Sequence, residues 1–396
     1  MFTNILRSFA DNLDTLREFV DLVNPILDKA REEEILANHD TLIPLVLSFN
    51  AIAPEQFPLD TSLVENLQSK FDGTLDIHME DEGGKKSAKL SFNNSGGQAF
   101  HSTMSKLSKR FNQKGLLYQN ALISLVSAVE WFLSQLLHEY FKLYPEASDI
   151  RERSLTLSEL QSMGTIDDAK NYLIDLRIEE ILRGSFSDWI TFLKSKLKLS
   201  MGYLTDEENY LTEICQRRNL FVHNGGVINK IYLNKVAQPL RQNLEIGQKI
   251  TVSQEYLDEA ITRFEKFFFL LSLELWKKLS PDDKTRSDIV SDITYKNLYN
   301  ERWKIVESLS FFLLNDKQLP EMARLVAQIN YWQSLKWQER FEEVRKEVEK
   351  IDFSAKDERF SLAKAALLDD EKLFFNLLPM LLKTEKITKK DLDEWP

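Results

Sequence analysis

The sequence predicts a mainly α fold: a central bundle of four or five helices, an N-terminal helical region with a small β-hairpin, and a C-terminal module resembling helical repeats. Three observations carry that expectation. Apolar residues recur at steps of three and four along much of the chain. Period-two alternation is confined to one pair of short segments. The last hundred residues contain an internal echo. At 396 residues the chain can hold two or three domains, since single cores usually stop growing below about 250 to 300 residues.

Taken in order, residues 1 to about 37 read as an amphipathic helix, with Leu6, Phe9, Leu13, Leu16, Val20 and Val23 on one stripe. A proline-punctuated stretch follows from about Pro44 to Pro58. TLDIHME (74–80) and SAKLSF (87–92) then alternate on either side of DEGGKK, the pattern of a hairpin with a glycine-containing loop. Asp76, His78 and Glu80 share one strand face. They read as solvated residues, because a metal site needs more convergent ligands than one short strand offers.

From about 111 to 144 a wide stripe runs through Ala121, Leu125, Val129, Phe132, Leu136 and Tyr140, with Glu130 on its flank. SLTLSELQSM and TIDDAKNYL carry the Ser, Thr and Asp signals of helix starts, and SFSDWITFLKSKLKL adds another helix. Another helix is expected over 207–223. After it come an extended excursion through INKIYL, a strand-like GQKITV and a long helix from about Ser253 to Leu279. Periodicity lapses over SPDDKTRSD, 280–288. NERWKIVESLSFFLLND and DERFSLAKAALLDD then share an acidic-Arg-aromatic start and a Leu-Leu-acidic end, which reads as stacked helical hairpins suited to binding a partner. The expected domains are therefore 1–110, 111–282 and 289–396.

Composition narrows the function classes. The net charge is −11, from 51 basic and 62 acidic residues. That balance argues against a broad basic surface gripping nucleic acid, so any such chemistry must be local. A single cysteine, Cys215, leaves no disulfide framework within the chain and fits a reducing cytosol. The first residues do not read as a signal peptide. The most apolar run, Phe267 to Trp276, is too short to span a bilayer and contains Glu274. A soluble, cytoplasmic protein with no membrane partner is expected. DEGGKKS lacks the strand-loop-helix context of a phosphate-binding loop.

One stretch is not explained by periodicity: CQRRNLFVHNGGV, 215–227. On a helical wheel Leu211, Ile214, Cys215, Phe221 and Val222 cluster, and Arg218 falls at the centre of the cluster. An arginine there must find carboxylates, carbonyls or a bound anion, because an unpaired buried charge costs several kcal/mol, roughly. It either pairs internally, with Glu130 as the candidate, or faces a second chain or a ligand. His223 lies about 140° round at the helix end, where Asn224-Gly225-Gly226 supplies left-handed cap residues. The carbonyl end of a helix favours an imidazolium. Asn219 stands one turn before His223 on nearly the same face, placed to orient the ring. Such a histidine suits proton exchange near neutral pH. A Cys215/His223 hydrolase is disfavoured, since eight residues along a helix separate the two by more than about 10 Å. His39, His101 and His138 lack convergent neighbours in sequence and read as surface or flank residues.

Arg218-Asn219-Leu220-Phe221-Val222-His223 resembles the signature of the HEPN superfamily (higher eukaryotes and prokaryotes nucleotide-binding domains): arginine, a polar residue, then histidine after four to six residues. RRNLFVHNGGVIN, GQKITVSQEYLDEAI, LELWKKL and SFSDWITFLK are similar to one bacterial branch, and the resemblance covers roughly 111–280. In a second branch, which works with nucleotidyltransferase antitoxins, a tyrosine stands two residues after the histidine; here that position is Gly225. The resemblance implies a metal-independent endoribonuclease without a cofactor, in which the RNA's own 2′-hydroxyl attacks the neighbouring phosphate. Arg218, His223 and Asn219 would be catalytic, Arg217, Asn224 and Lys230 would bind substrate, and Glu130 would partner the arginine. It further implies a homodimer that places two Arg/His pairs in one cleft, a role in anti-phage defence or a toxin system, and restraint by a regulatory or other defence-system protein. An inert bundle of the same fold, binding RNA, nucleotide or protein, is the other expectation.

Overall fold

A computed structural model describes residues 2–70, 74–82, 85–93, 96–148, 154–205 and 207–394. Among them the chain is mainly helical with one two-stranded antiparallel hairpin, as expected. The first elements are α1 (Phe2–Ala37), α2 (His39–Ile52), α3 (Thr61–Ser69), β1 (Leu75–Glu82), β2 (Lys85–Phe92) and α4 (Gly96–Leu143). Then come α5 (Leu157–Met163), α6 (Ile166–Leu182), α7 (Phe186–Ser195), α8 (Glu208–Asn224), α9 (Lys230–Lys235) and α10 (Gln254–Leu279). The last are α11 (Thr285–Tyr299), α12 (Trp303–Leu314), α13 (Glu321–Trp337), α14 (Arg345–Lys350), α15 (Glu358–Leu367), α16 (Glu371–Lys383) and α17 (Lys389–Glu394).

The residues form two compact units. The smaller comprises 17–121 with 251–253. Within it Lys114 Nζ sits 2.9 Å from Asp28 Oδ2 and the Tyr118 hydroxyl donates to Asn24 Oδ1 at 3.0 Å, tying α1 to α4. The strands pair Leu75 with Phe92 and Ile77 with Leu90, and run into the DEGGKK segment expected as loop; its glycines, 83 and 84, lie outside the described residues. His78 faces Lys89 across the ladder and is exposed. The stretch opened by Pro44 begins as helix, with Pro44 inside α2.

The larger unit comprises 1–16, 122–250 and 254–396. The bundle region and the C-terminal hairpins share it because the start of α1 is apolar on one side and charged on the other. Phe9 stacks on Phe132 with ring centroids 4.1 Å apart, and both meet Phe268 edge-on. Asp14, on the same segment, pairs with Lys296 at 2.6 Å and with Arg302. The run Phe267 to Trp276 is almost entirely buried, so it is helical core. Its Glu274 accepts from Ser200 N at 2.6 Å and from the Tyr203 hydroxyl at 2.8 Å, which satisfies a carboxylate in an apolar helix. By length and composition α4 is apolar enough to cross a membrane, and half of its most apolar window is buried.

The starts of α5 and α6 carry caps in the segments where sequence places them, and α7 carries a further one. Thr156 with Glu159 and Ser185 with Asp188 form reciprocal capping boxes, and the Thr165 side chain accepts from Asp168 N. Helix stops in the C-terminal half are less conventional. After α11, α13, α15 and α16 the chain turns through Glu301, Glu339, Asp369 and Glu385, all at positive φ between 54° and 59°. At each turn the next N–H reaches back five residues, as Arg302 N to Asn297 O at 2.9 Å and Arg340 N to Leu335 O at 2.8 Å. This is one repeated hydrogen-bonded stop, built without glycine. The two echo segments end differently: 357–370 closes on left-handed Asp369, whereas 300–316 closes on Asn315 at φ −86°.

Candidate functional site

The 215–227 stretch forms the second half of α8 and the turn after it. Cys215 and Gln216 are buried, Arg217, Arg218 and Asn219 are partly buried, and His223 and Asn224 are exposed. The expected apolar stripe is only half formed: Leu211, Ile214 and Cys215 are buried, but Val222 is 48% exposed. The buried positions opposite are taken by polar residues, Glu213 and Gln216.

Arg218 finds the partner inferred for it. Its Nη2 donates to Glu130 Oε1 on α4, and the two side chains are 19% and 29% exposed. Its Nε is buried and takes no hydrogen bond among the described residues. The guanidinium is therefore held at one corner and retains donor capacity elsewhere.

The glycine stop is as expected. Gly225 is left-handed at φ 58°, and its N–H and that of Gly226 both reach Leu220 O. Gly226 lies at φ 79°, where an added Cβ would stand 2.9 Å from Phe221 Cε1. The strand-like GQKITV closes on this turn: Ile250 N donates to Gly226 O at 2.8 Å and Ile228 N to Gln248 O at 2.8 Å. INKIYL is not extended. Asn229 caps α9 by accepting from Tyr232 N at 2.9 Å, and six residues were too few to separate a period of two from one of 3.6.

Asn219 and His223 are not joined by a hydrogen bond among the described residues; Asn219 shares the helix face without fixing the ring. Asn224 donates from Nδ2 to Val227 O at 2.5 Å, so it braces the turn. Lys230 is exposed at the first position of α9.

Arg217, expected to bind substrate, is instead committed to an internal cluster. Its Nε donates to Glu213 Oε1 at 2.8 Å and its guanidinium stacks 3.9 Å over the Tyr256 ring. The same carboxylate accepts from the Tyr232 hydroxyl at 2.6 Å and the Tyr256 hydroxyl at 2.5 Å. Burial first, and then the Glu213 charge, push both phenols above their ordinary range, so both remain protonated donors. The cluster ties α8, α9 and α10 together. Only the Glu213–Arg217 spacing of four was a sequence signal; the tyrosines gave none.

Comparisons of the chain with protein-family models, with curated proteins and with solved structures give no match.

The remaining candidates resolve by geometry. Burial pushes the Cys215 thiol up to about 12, which removes it as a nucleophile near neutral pH. His138 Nε2 lies 3.4 Å from Asp175 Oδ1 on α6, and His39 Nε2 lies 3.2 Å from Asp40 Oδ1. No group of three or more His, Cys, Asp or Glu side chains fit to hold a metal ion occurs among the described residues.

Proposed function

We propose that the chain is a metal-independent endoribonuclease of the HEPN type, working at a composite site completed by a second copy. The observation that carries this reading is the pairing on α8 of an exposed histidine, at the carbonyl end of the helix, with an arginine held at one corner by a carboxylate. A phosphodiester cleaved by its own 2′-hydroxyl needs a base for that proton, an acid for the departing 5′ oxygen and a cation facing the phosphorane. His223 supplies the proton carrier and Arg218 the cation. Five residues of helix set the two about 7.5 Å apart along the axis and about 140° apart around it. One His223 does not serve as base and acid at once, and a two-fold pairing would bring two Arg/His pairs to one cleft. The exposed Val222 beside His223 fits an apolar contact at such a pairing. By resemblance, the role is RNA cleavage in anti-phage defence or a toxin system.

A second reading has its own observation. The Arg218–Glu130 pair is what an inert bundle binding RNA or a partner would use to satisfy a buried arginine. Cleavage of a mixed tRNA and mRNA pool in EDTA, wild type beside His223→Ala, separates the two. Cleavage by wild type only, leaving 2′,3′-cyclic phosphate ends, is the expected outcome. RNA retained but uncut by both proteins favours the inert bundle, and equal cutting by both removes His223 from the chemistry.

A further inference from the structure

The C-terminal hairpins carry a groove of about 790 Å³ between α11, α13, α15 and α17, remote in sequence from the 215–227 stretch. Its floor is one face of α13, where Met322, Ala323, Val326, Ala327 and Asn330 recur at steps of three and four. Small residues, Ala323, Ala327 and Ala363, leave the space; Tyr295, Met322 and Val326 line it while 59%, 53% and 45% exposed. Exposed methionine and aromatic side chains along a groove are the composition of a helix-binding surface rather than of a solvated helix face.

Three features select the occupant. The walls are helices whose backbone groups are bonded internally, so an extended strand would find no edge to pair with, whereas a helix packs by ridges into grooves. The carboxylates Asp292 and Asp391 line it from α11 and α17, Asp391 through a carboxylate whose Oδ2 also accepts from Thr388 N and Oγ1 at 2.7 and 2.8 Å. The lining cation, Arg359, already directs Nε and Nη2 to Asp357 at 3.0 and 3.1 Å. Asp292 meets Arg7 only in an exposed pair at 3.1 Å, which contributes little and is readily exchanged for a partner's cation.

We propose that this groove docks an amphipathic helix of a partner protein, apolar along an i, i+3/i+4, i+7 stripe and carrying lysine or arginine where it meets Asp292 and Asp391. The inference stands apart from the ribonuclease reading.

The test uses the full chain and a fluorescein-labelled helix of leucine and lysine, about 14 residues long, followed by anisotropy, with a leucine-glutamate helix as control. Saturable binding of the lysine helix, weakened about tenfold by Met322→Ser/Val326→Ser and severalfold by Asp292→Asn/Asp391→Asn, is expected, with the glutamate helix bound far more weakly. Circular dichroism and Tm report whether each variant folds. Three outcomes overturn the proposal: no saturable binding to wild type, equal affinity for folded Met322→Ser/Val326→Ser, or equal binding of the glutamate helix. Should the serine variant not fold, Asp292→Asn/Asp391→Asn decides alone, unchanged affinity again overturning it.

Discussion

Arg218 and Glu130, 88 residues apart in sequence, meet as an ion pair between α8 and α4. The pair explains how an arginine is tolerated among Leu211, Ile214 and Cys215, and its 19% and 29% exposure places it between surface and buried pairs. Surface pairs contribute up to about 1 kcal/mol and breaking buried ones costs about 3 to 5. Glu130→Gln should therefore lower stability by about 2 kcal/mol, and a double-mutant cycle with Arg218→Gln in urea should show coupling. If Arg218 also faces the phosphorane, Glu130→Gln should lower kcat of RNA cleavage more than it raises KM; a change in KM alone would make the pair structural only.

Gly226 sets the exit from α8. At φ 79°, with Phe221 Cε1 2.9 Å from any added Cβ, Gly226→Ala combines left-handed strain with a clash. A loss of about 2 kcal/mol is expected. Gly225→Ala, with nothing within 4 Å of its Cβ, should lose about 1 kcal/mol for conformation alone. Equal losses on chemical denaturation would mean that the Phe221 contact relaxes freely.

Glu213 holds three donors on α8, α9 and α10. Glu213→Ala removes the carboxylate shared by Arg217 and the Tyr232 and Tyr256 phenols, and should cost about 3 kcal/mol. Tyr232→Phe keeps the carboxylate and removes the hydroxyl bonded to Glu213, and should cost about 1 kcal/mol. Hydrogen exchange over 225–250 should accelerate in both, because α9 loses its tether to α8. Unaltered exchange there would show that the cluster does not hold the turn following His223.

Asp14 gives a pH dependence. Burial opposes its charge, but hydrogen bonds and charge from Lys296 and Arg302 outweigh it and hold the carboxyl below the ordinary value. A carboxylate lowered in the folded state adds stability that is present above the unfolded pKa of about 3.9 and disappears as pH falls through the lower folded value. Wild type should thus lose stability below about pH 4 more steeply than Asp14→Asn. Parallel curves for the two proteins from pH 6 to 3 would assign the acid sensitivity elsewhere.

The sequence by itself determined what local chemistry determines. The capping signals at Thr156 and Thr165, the limits of α8 and α10, and the glycine stop at 225–226 were legible because each depends on residues within one or two turns. Arg218 was legible as an anomaly, and Glu130 as its partner, because a charge in an apolar stripe needs a counter-charge and Glu130 flanked the facing stripe.

Tertiary structure decided the rest. Tyr232 and Tyr256 reach Glu213 across 19 and 43 residues, and a phenol carries no periodicity that announces a buried carboxylate. Arg217 reads like any exposed helix cation until that carboxylate is placed. The left-handed turns at Glu301, Glu339, Asp369 and Glu385 lack the glycine that would mark them. The first sixteen residues join the larger unit because Phe9 and Asp14 meet side chains more than a hundred residues away. Long-range packing and charge pairing are fixed by which faces meet, and sequence periodicity specifies that a face exists without specifying its partner.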